Sequence, residues 1–381
     1  MSTETNPPTG PLSGLVIADF SRILAGPYCT MLLADLGADV IKVESPGGDD
    51  TRTWMPPTRD GEATYYLSIN RNKRSIVLDL KDPDDCAVAL ALANRADVLV
   101  ENFKPDGMAK FGLDFATIRT TNPALIYASI SGFGPGLGHA MPGYDLMVQA
   151  ISGLMSLTGE ADGPPMRAGI ALFDVMSGLN AAIGILAALN HRNQTGDGQH
   201  LEVNLLSSAL SGLVNHTGAF AIGGTVPFRM GNSHPSVFPY EPMATADGDL
   251  ILAVGNDGQF KKCCQVLGVP ELSDDPRFRH NDDRTANREA LRPLMLERLR
   301  TKGKMDWFRL FTAAGVPAGP INTVDGGIAF AEELGLEPVV TIDGMPSIRN
   351  PLTLSATPAT YRVPPPSLGQ HSDEIRNWLR P

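Results

Sequence analysis

Short apolar runs alternate with helical stripes through the first 130 residues of the chain. Leu15 to Phe20 (LVIADF), Asp39 to Glu44 (DVIKVE), Ser75 to Leu80 (SIVLDL), Asp97 to Glu101 (DVLVE) and Leu125 to Ile130 (LIYASI) each have the length and apolar density of a buried strand. Gly26-Pro27 opens a helix, since proline is tolerated in a first helical turn, and its stripe runs through Met31, Leu32, Leu33 and Leu36 to Gly37. Pro83 to Arg95 is a second helical pattern. Strands alternating with helices predict an α/β fold with a doubly wound, mostly parallel sheet.

From Met147 to Leu189 the pattern is mainly helical, and it stops at the polar stretch from Asn193 to Gly198. Glu202 to Ala209 reads as the start of a further helix. After about residue 223 turn residues dominate, and a hairpin-like stretch turns at Thr245 to Asp249 before the strand Leu250 to Val254. Helical stripes return at Gln259 to Leu267 and Asn287 to Lys302. These shifts divide the chain into a large domain over residues 12–200, a linker over 201–224, a smaller domain over 225–325, and a linker over 326–381 that returns to the large domain.

Composition changes this picture little. The chain has 381 residues, enough for two cores, with 43% apolar and 19% charged residues. The net charge of −11 argues against nucleic acid or an anionic membrane as partner, while leaving room for a local basic cluster around an anionic ligand. The N-terminal Met1 to Pro11 is polar, no run reaches the roughly 18 apolar residues of a membrane span, and a cytoplasmic location is expected. Cys29, Cys86, Cys263 and Cys264 form no CxxC pair and are expected to be reduced structural thiols.

Candidate chemistry narrows by elimination. Gly132-Phe-Gly-Pro-Gly-Leu-Gly138 resembles a dinucleotide loop, but GxGxxG would need glycine where Leu137 or His139 stands. The seven histidines are scattered, no metal motif is present, and no GxSxG elbow occurs. A carboxylate remains. Asp174 follows Arg167-Ala-Gly-Ile-Ala-Leu-Phe173 just before a helix expected to run to about Leu189. There it serves either as an N-cap or as a nucleophile that the helix terminus keeps ionised beside apolar neighbours. Arg71, Lys73 and Arg74 make the densest basic cluster, which is either a phosphate contact or a solvated turn.

Over its whole length the chain resembles the family III CoA-transferases. The matching segments include Ala25-Gly-Pro27, Leu33 to Glu44, Asn70 to Ser75, Ala96 to Phe103, Gly132-Phe-Gly134, Pro142-Gly-Tyr-Asp145, Phe173-Asp174, Gly315-Val-Pro317 and Pro366 to His371. The resemblance implies a Rossmann-like domain with a smaller α+β domain inserted, and an interlocked homodimer. It implies that Asp174 attacks an acyl-CoA thioester, so that CoA passes to a carboxylic acid through covalent aspartyl intermediates with no tightly bound cofactor and no metal. CoA contacts are implied at Ile23, Ala25, Arg71, Lys73, Asn102, Phe103, Lys110 and Tyr144. Leu24, Asp145, Arg229 and His234 are implied near the acyl substrate. The chain departs from formyl-CoA transferase where Leu24 replaces a glutamine and Ser45 an arginine, and Lys110 stands for an arginine. The related α-methylacyl-CoA racemases carry histidine in a Gly-His-Asp motif. Here Gly143-Tyr-Asp145 offers a phenol, a poor base at an ordinary pKa of about 10, which favours a transferase over a racemase or a non-catalytic acyl-CoA binder.

Overall fold

The computed structural model describes residues 9–104 and 106–380. Its central element is a six-stranded sheet of β1 (Val16–Asp19), β2 (Asp39–Glu44), β3 (Lys73–Val77), β4 (Val98–Glu101), β5 (Ile126–Ser131) and β6 (His200–Asn204). The strands lie in the order β3-β2-β1-β4-β5-β6, and every neighbouring pair is parallel. The central strands β1, β4 and β5 are mostly apolar because both faces of the sheet are covered. Ile17, Val40, Val98, Val100 and Ile126 point into one core, with α1 (Ala25–Asp35) and the long helix α5 (Leu172–Thr195). Ala18, Ile41, Leu99 and Tyr127 point into the other, with α3 (Pro83–Arg95) and Ile375 and Leu379 of the C-terminal helix. Between these helices in chain order lie α2 (Thr64–Ile69) and α4 (Asp145–Ile151).

Two compact units divide the chain, residues 1–154, 167–226 and 337–381 in one, and 155–166 with 227–336 in the other. The second unit has a three-stranded antiparallel sheet and its own core, centred on Phe238, Phe260, Phe278, Trp307 and Phe311. This division departs from the sequence boundaries in three places. Residues 201–224 are not a linker: β6 pairs with β5, and Asn204 then caps α6 (Leu205–Gly212) by accepting from Ser207 N at 2.8 Å. The expected helix from Glu202 therefore starts three residues late, after an edge strand. The helix Val324–Glu333 belongs to the smaller unit, where Phe330 meets Phe308 edge-on at 5.9 Å. Residues 155–166 join it as well, through Gly231 N donating to Gly159 O at 3.1 Å.

Among the described residues, α5 is the one helix long and apolar enough to cross a membrane, by length and composition. Its Phe173, Ala181, Ile185 and Leu189 are buried against the sheet.

Candidate active site

In a parallel sheet whose strand order reverses between β1 and β4, the loops leaving those two strands splay apart and leave a crevice at their C-terminal ends. A cavity of about 160 Å³ lies there. Ile23, Leu24 and Ala25 reach it from the loop after β1, Asn102 and Phe103 from the end of β4, and Tyr144 and Asp174 from the starts of α4 and α5. Seven of the residues expected at the site thus meet on one cavity. Gly132 and Gly143 explain the glycine-rich segments: a Cβ on Gly132 would stand 2.4 Å from Gly143 Cα, so only glycines let the two backbones cross and deliver Tyr144.

Asp174 is not an N-cap. It is the third residue of α5, whose N-cap is Ala171 and offers no side-chain acceptor. Asp145 supplies the missing acceptor from another helix, its Oδ1 taking Phe173 N at 2.7 Å and Asp174 N at 3.3 Å. Gln149, fully buried, donates to Asp145 Oδ2 at 2.5 Å and to Ile170 O at 3.0 Å, and accepts from Ala168 N at 2.8 Å. Asp174 is thereby freed to face the cavity. Burial first, and the neighbouring Asp145 charge second, push its pKa up to about 7. Tyr65 on α2, which no sequence motif marks, feels the same centre: burial, then Asp174 and Asp145, push its phenol up to about 12.

The basic cluster requires a correction. Lys73 has no exposed surface, and its Nζ donates to Asp19 Oδ2 at 3.1 Å, Pro27 O at 2.9 Å and Asn70 Oδ1 at 3.0 Å. Arg71 is also buried, forked onto Asp35 at 3.0 and 2.6 Å. Both charges are consumed inside the fold and neither lies on the cavity, so a phosphate contact there is not supported. Lys110 is exposed on the turn Ala109–Phe111 and is not on the cavity wall. The basic residues that do line it are Arg22, paired with Asp50 at 2.6 Å, exposed Lys104, and His139, whose Nε2 lies 3.3 Å from Asp106 Oδ2. None of these stands out in the sequence, because isolated basic residues carry no pattern. Lys104 and Phe103 also border an adjoining cavity of about 360 Å³. Arg229 and His234 lie in the smaller unit, where His234 Nδ1 accepts from Ser236 N at 3.1 Å and its ring meets Tyr240.

The model of CoA-transferase family III matches residues 12–372. The chain belongs to this family. It is a CoA-transferase, and its half-buried carboxylate sits on a cavity at the sheet's reversal point. The family III chain is 45% identical to the succinate–glutarate CoA-transferase of Agrobacterium fabrum, over 96% of this chain and 94% of that one. It is 41% identical to the succinyl-CoA:glutarate CoA-transferase of Homo sapiens, over 96% and 85% of the two chains. A crystal structure of a CAIB/BAIF family protein from Brucella suis superposes with a TM-score of 0.88 at 42% identity, covering 98% of this chain and all of that one.

Proposed function

We propose that this CoA-transferase moves CoA from succinyl-CoA to a small dicarboxylic acid of the glutarate type, with Asp174 as the nucleophile. The donor and acceptor follow relatives whose names carry succinate and glutarate at 41–45% identity. The observation that carries the nucleophile is the freed Asp174 carboxylate on the cavity wall, poorly solvated and with a pKa of about 7. Partial stripping of water makes a carboxylate a better attacking group.

In this scheme an Asp174 oxygen attacks the thioester carbonyl, the C–S bond breaks, and CoA leaves as thiolate from an aspartyl–succinyl anhydride. The thiolate attacks the aspartyl carbonyl, releasing succinate and leaving an aspartyl thioester. The acceptor carboxylate displaces the thiolate to form a second anhydride. The thiolate then attacks the acceptor's acyl carbon, and Asp174 is returned as carboxylate. One thioester is exchanged for another, so no ATP is consumed. Phe103 and Lys104 border both the cavity at Asp174 and the adjoining one, so the two together offer a continuous wall along which CoA can lie.

A racemase finds no support at Tyr144, which stands on the cavity wall where an acid–base histidine would be required. We also infer a homodimer of the interlocked type with the smaller unit inserted in the larger. Leu179, Ile183 and Leu186 on the outer face of α5 are exposed, as are Phe220 and Ile222 nearby in sequence, an apolar surface that a partner subunit would cover. Incubation with succinyl-CoA and then hydroxylamine tests the nucleophile. A hydroxamate on the peptide holding Asp174 is expected, and labelling at any other carboxylate would refute the assignment.

A further inference from the structure

The loop that carries Leu24 and Ala25 to the cavity is held in an unusual way. Ile23 has φ +72°, in the left-handed region that a β-branched side chain disfavours. Such an outlier persists only where its surroundings over-determine it. Here five successive backbone groups are each taken by a side chain from elsewhere. Ser21 N donates to Asp19 Oδ1 at 3.1 Å, and Ser21 O accepts from Lys42 Nζ at 3.0 Å. Asn102 clasps both polar groups of Arg22, accepting from its N at 3.0 Å and donating to its O at 2.7 Å. Ile23 N is shared between the two oxygens of Asp49, at 3.3 Å each.

Asp49 in turn receives Lys42 Nζ at 2.8 Å, Thr51 N at 3.0 Å and Thr51 Oγ1 at 2.8 Å. Lys42 is wholly buried and Asp49 nearly so, and neither lines the cavity. Just beyond the loop, α1 is pressed onto α5: a Cβ on Gly178, one turn after Asp174, would stand 2.6 Å from Ala25 O. A movement of the loop therefore shifts one wall of the cavity against the attacking carboxylate.

We propose that Lys42 and Asp49 are positioning residues for acyl transfer. The buried pair holds Ile23 in its left-handed conformation, and so fixes Leu24 and Ala25 opposite Asp174. A pair serving stability alone is replaceable by well-packed apolar residues without loss of turnover, because buried ion pairs contribute little net stability over such residues. A pair that sets geometry is not, since misplacement of reacting groups by about 1 Å costs on the order of 100-fold. The inference rests on Asp174 as the nucleophile.

Two double variants separate the alternatives. Lys42→Met with Asp49→Ala removes both loop contacts without stranding a charge. Lys42→Gln with Asp49→Asn keeps a donor for Ser21 O and an acceptor for Ile23 N. With succinyl-CoA as donor, kcat is expected to fall at least tenfold in the apolar pair while the donor KM changes less than threefold, and the amide pair recovers most of kcat. A folded apolar pair with wild-type kcat would overturn the proposal. Should neither double variant fold, Ile23 decides. Ile23→Gly relieves the backbone and is expected to raise Tm while lowering kcat. Ile23→Ala removes a similar side chain but keeps the constraint, and its kcat is expected to lie at least threefold above that of Ile23→Gly. Equal kcat in all three forms would also overturn it. Asp174→Asn, run alongside with hydroxylamine trapping, tests the nucleophile separately: normal turnover there rejects that assignment and leaves the loop comparison readable.

Discussion

Burial, and the Asp145 charge after it, set the Asp174 carboxyl against its own ionisation and raise its pKa to about 7 from an ordinary 3.8. The sign of the stability effect follows. The folded state holds this proton more tightly than the unfolded chain does, so the group favours folding below pH 4. It becomes a liability as pH rises through 7, losing about 1.4 kcal/mol for each pH unit between the two pKa values. Asp174→Asn should therefore melt at or above the wild-type temperature at pH 8 and lose that advantage by pH 4 in parallel thermal scans. Its turnover should fall roughly 10⁴-fold, about 5.4 kcal/mol of barrier. Single-turnover acylation by succinyl-CoA should rise with pH along a limb centred near 7. Removing the Asp145 charge by Asp145→Asn should move that limb to lower pH, since a like charge is lost while burial remains. An unmoved limb would show that Asp145 acts through its hydrogen bonds alone.

At the scale of elements, the strands that the apolar runs announced are those covered on both faces. β2 runs from Asp39 to Glu44 as its apolar run predicts, and α3 from Pro83 to Arg95. β6 escaped because His200-Leu-Glu-Val-Asn204 alternates polar and apolar residues and shows no apolar run. The cavity wall was legible through motif resemblance, whereas the support behind it was not: Asp145 caps α5 across 28 residues, and Asp19 neutralises Lys73 across 54. A run of cations in a sequence looks solvated until its distant partner is seen. Lys73→Glu accordingly tests the fold rather than CoA binding. Placing a second carboxylate beside buried Asp19 should cost about 3–5 kcal/mol or abolish folding, as read by chemical denaturation. A variant of wild-type stability with weakened CoA binding would restore a phosphate contact at Lys73.

For the whole molecule, the two-unit division was foreshadowed by the change from alternating strands to turns near residue 223, but its seams were not. Residues 155–166 belong with partners some 70 positions downstream, a pairing that no local pattern encodes. The exposed apolar face of α5 sets a test at this scale. If the chains interlock as proposed, the protein sediments as a dimer down to nanomolar concentration, because interlocked chains separate only by unfolding. A folded monomer at that dilution would exclude interlocking. Ile183→Asp, on the 65% exposed residue of that face, should lower the yield of dimer far more than it disturbs an isolated chain.

The interrupted path of the chain through the larger unit has a consequence for biosynthesis. Residues 337–381 complete that unit, and their last helix supplies Ile375 and Leu379 to the core beneath Ile41, Ile76 and Leu99. A ribosome makes these residues only after the whole of 227–336 has been translated. Because chains generally fold domain by domain as they emerge, the smaller unit is ready to fold while the part of one sheet face not covered by α3 still waits for the C-terminal helix. The nascent chain thus carries an open apolar surface through the synthesis of more than a hundred residues, and that interval is where a chaperone that binds exposed aliphatic surface would engage it.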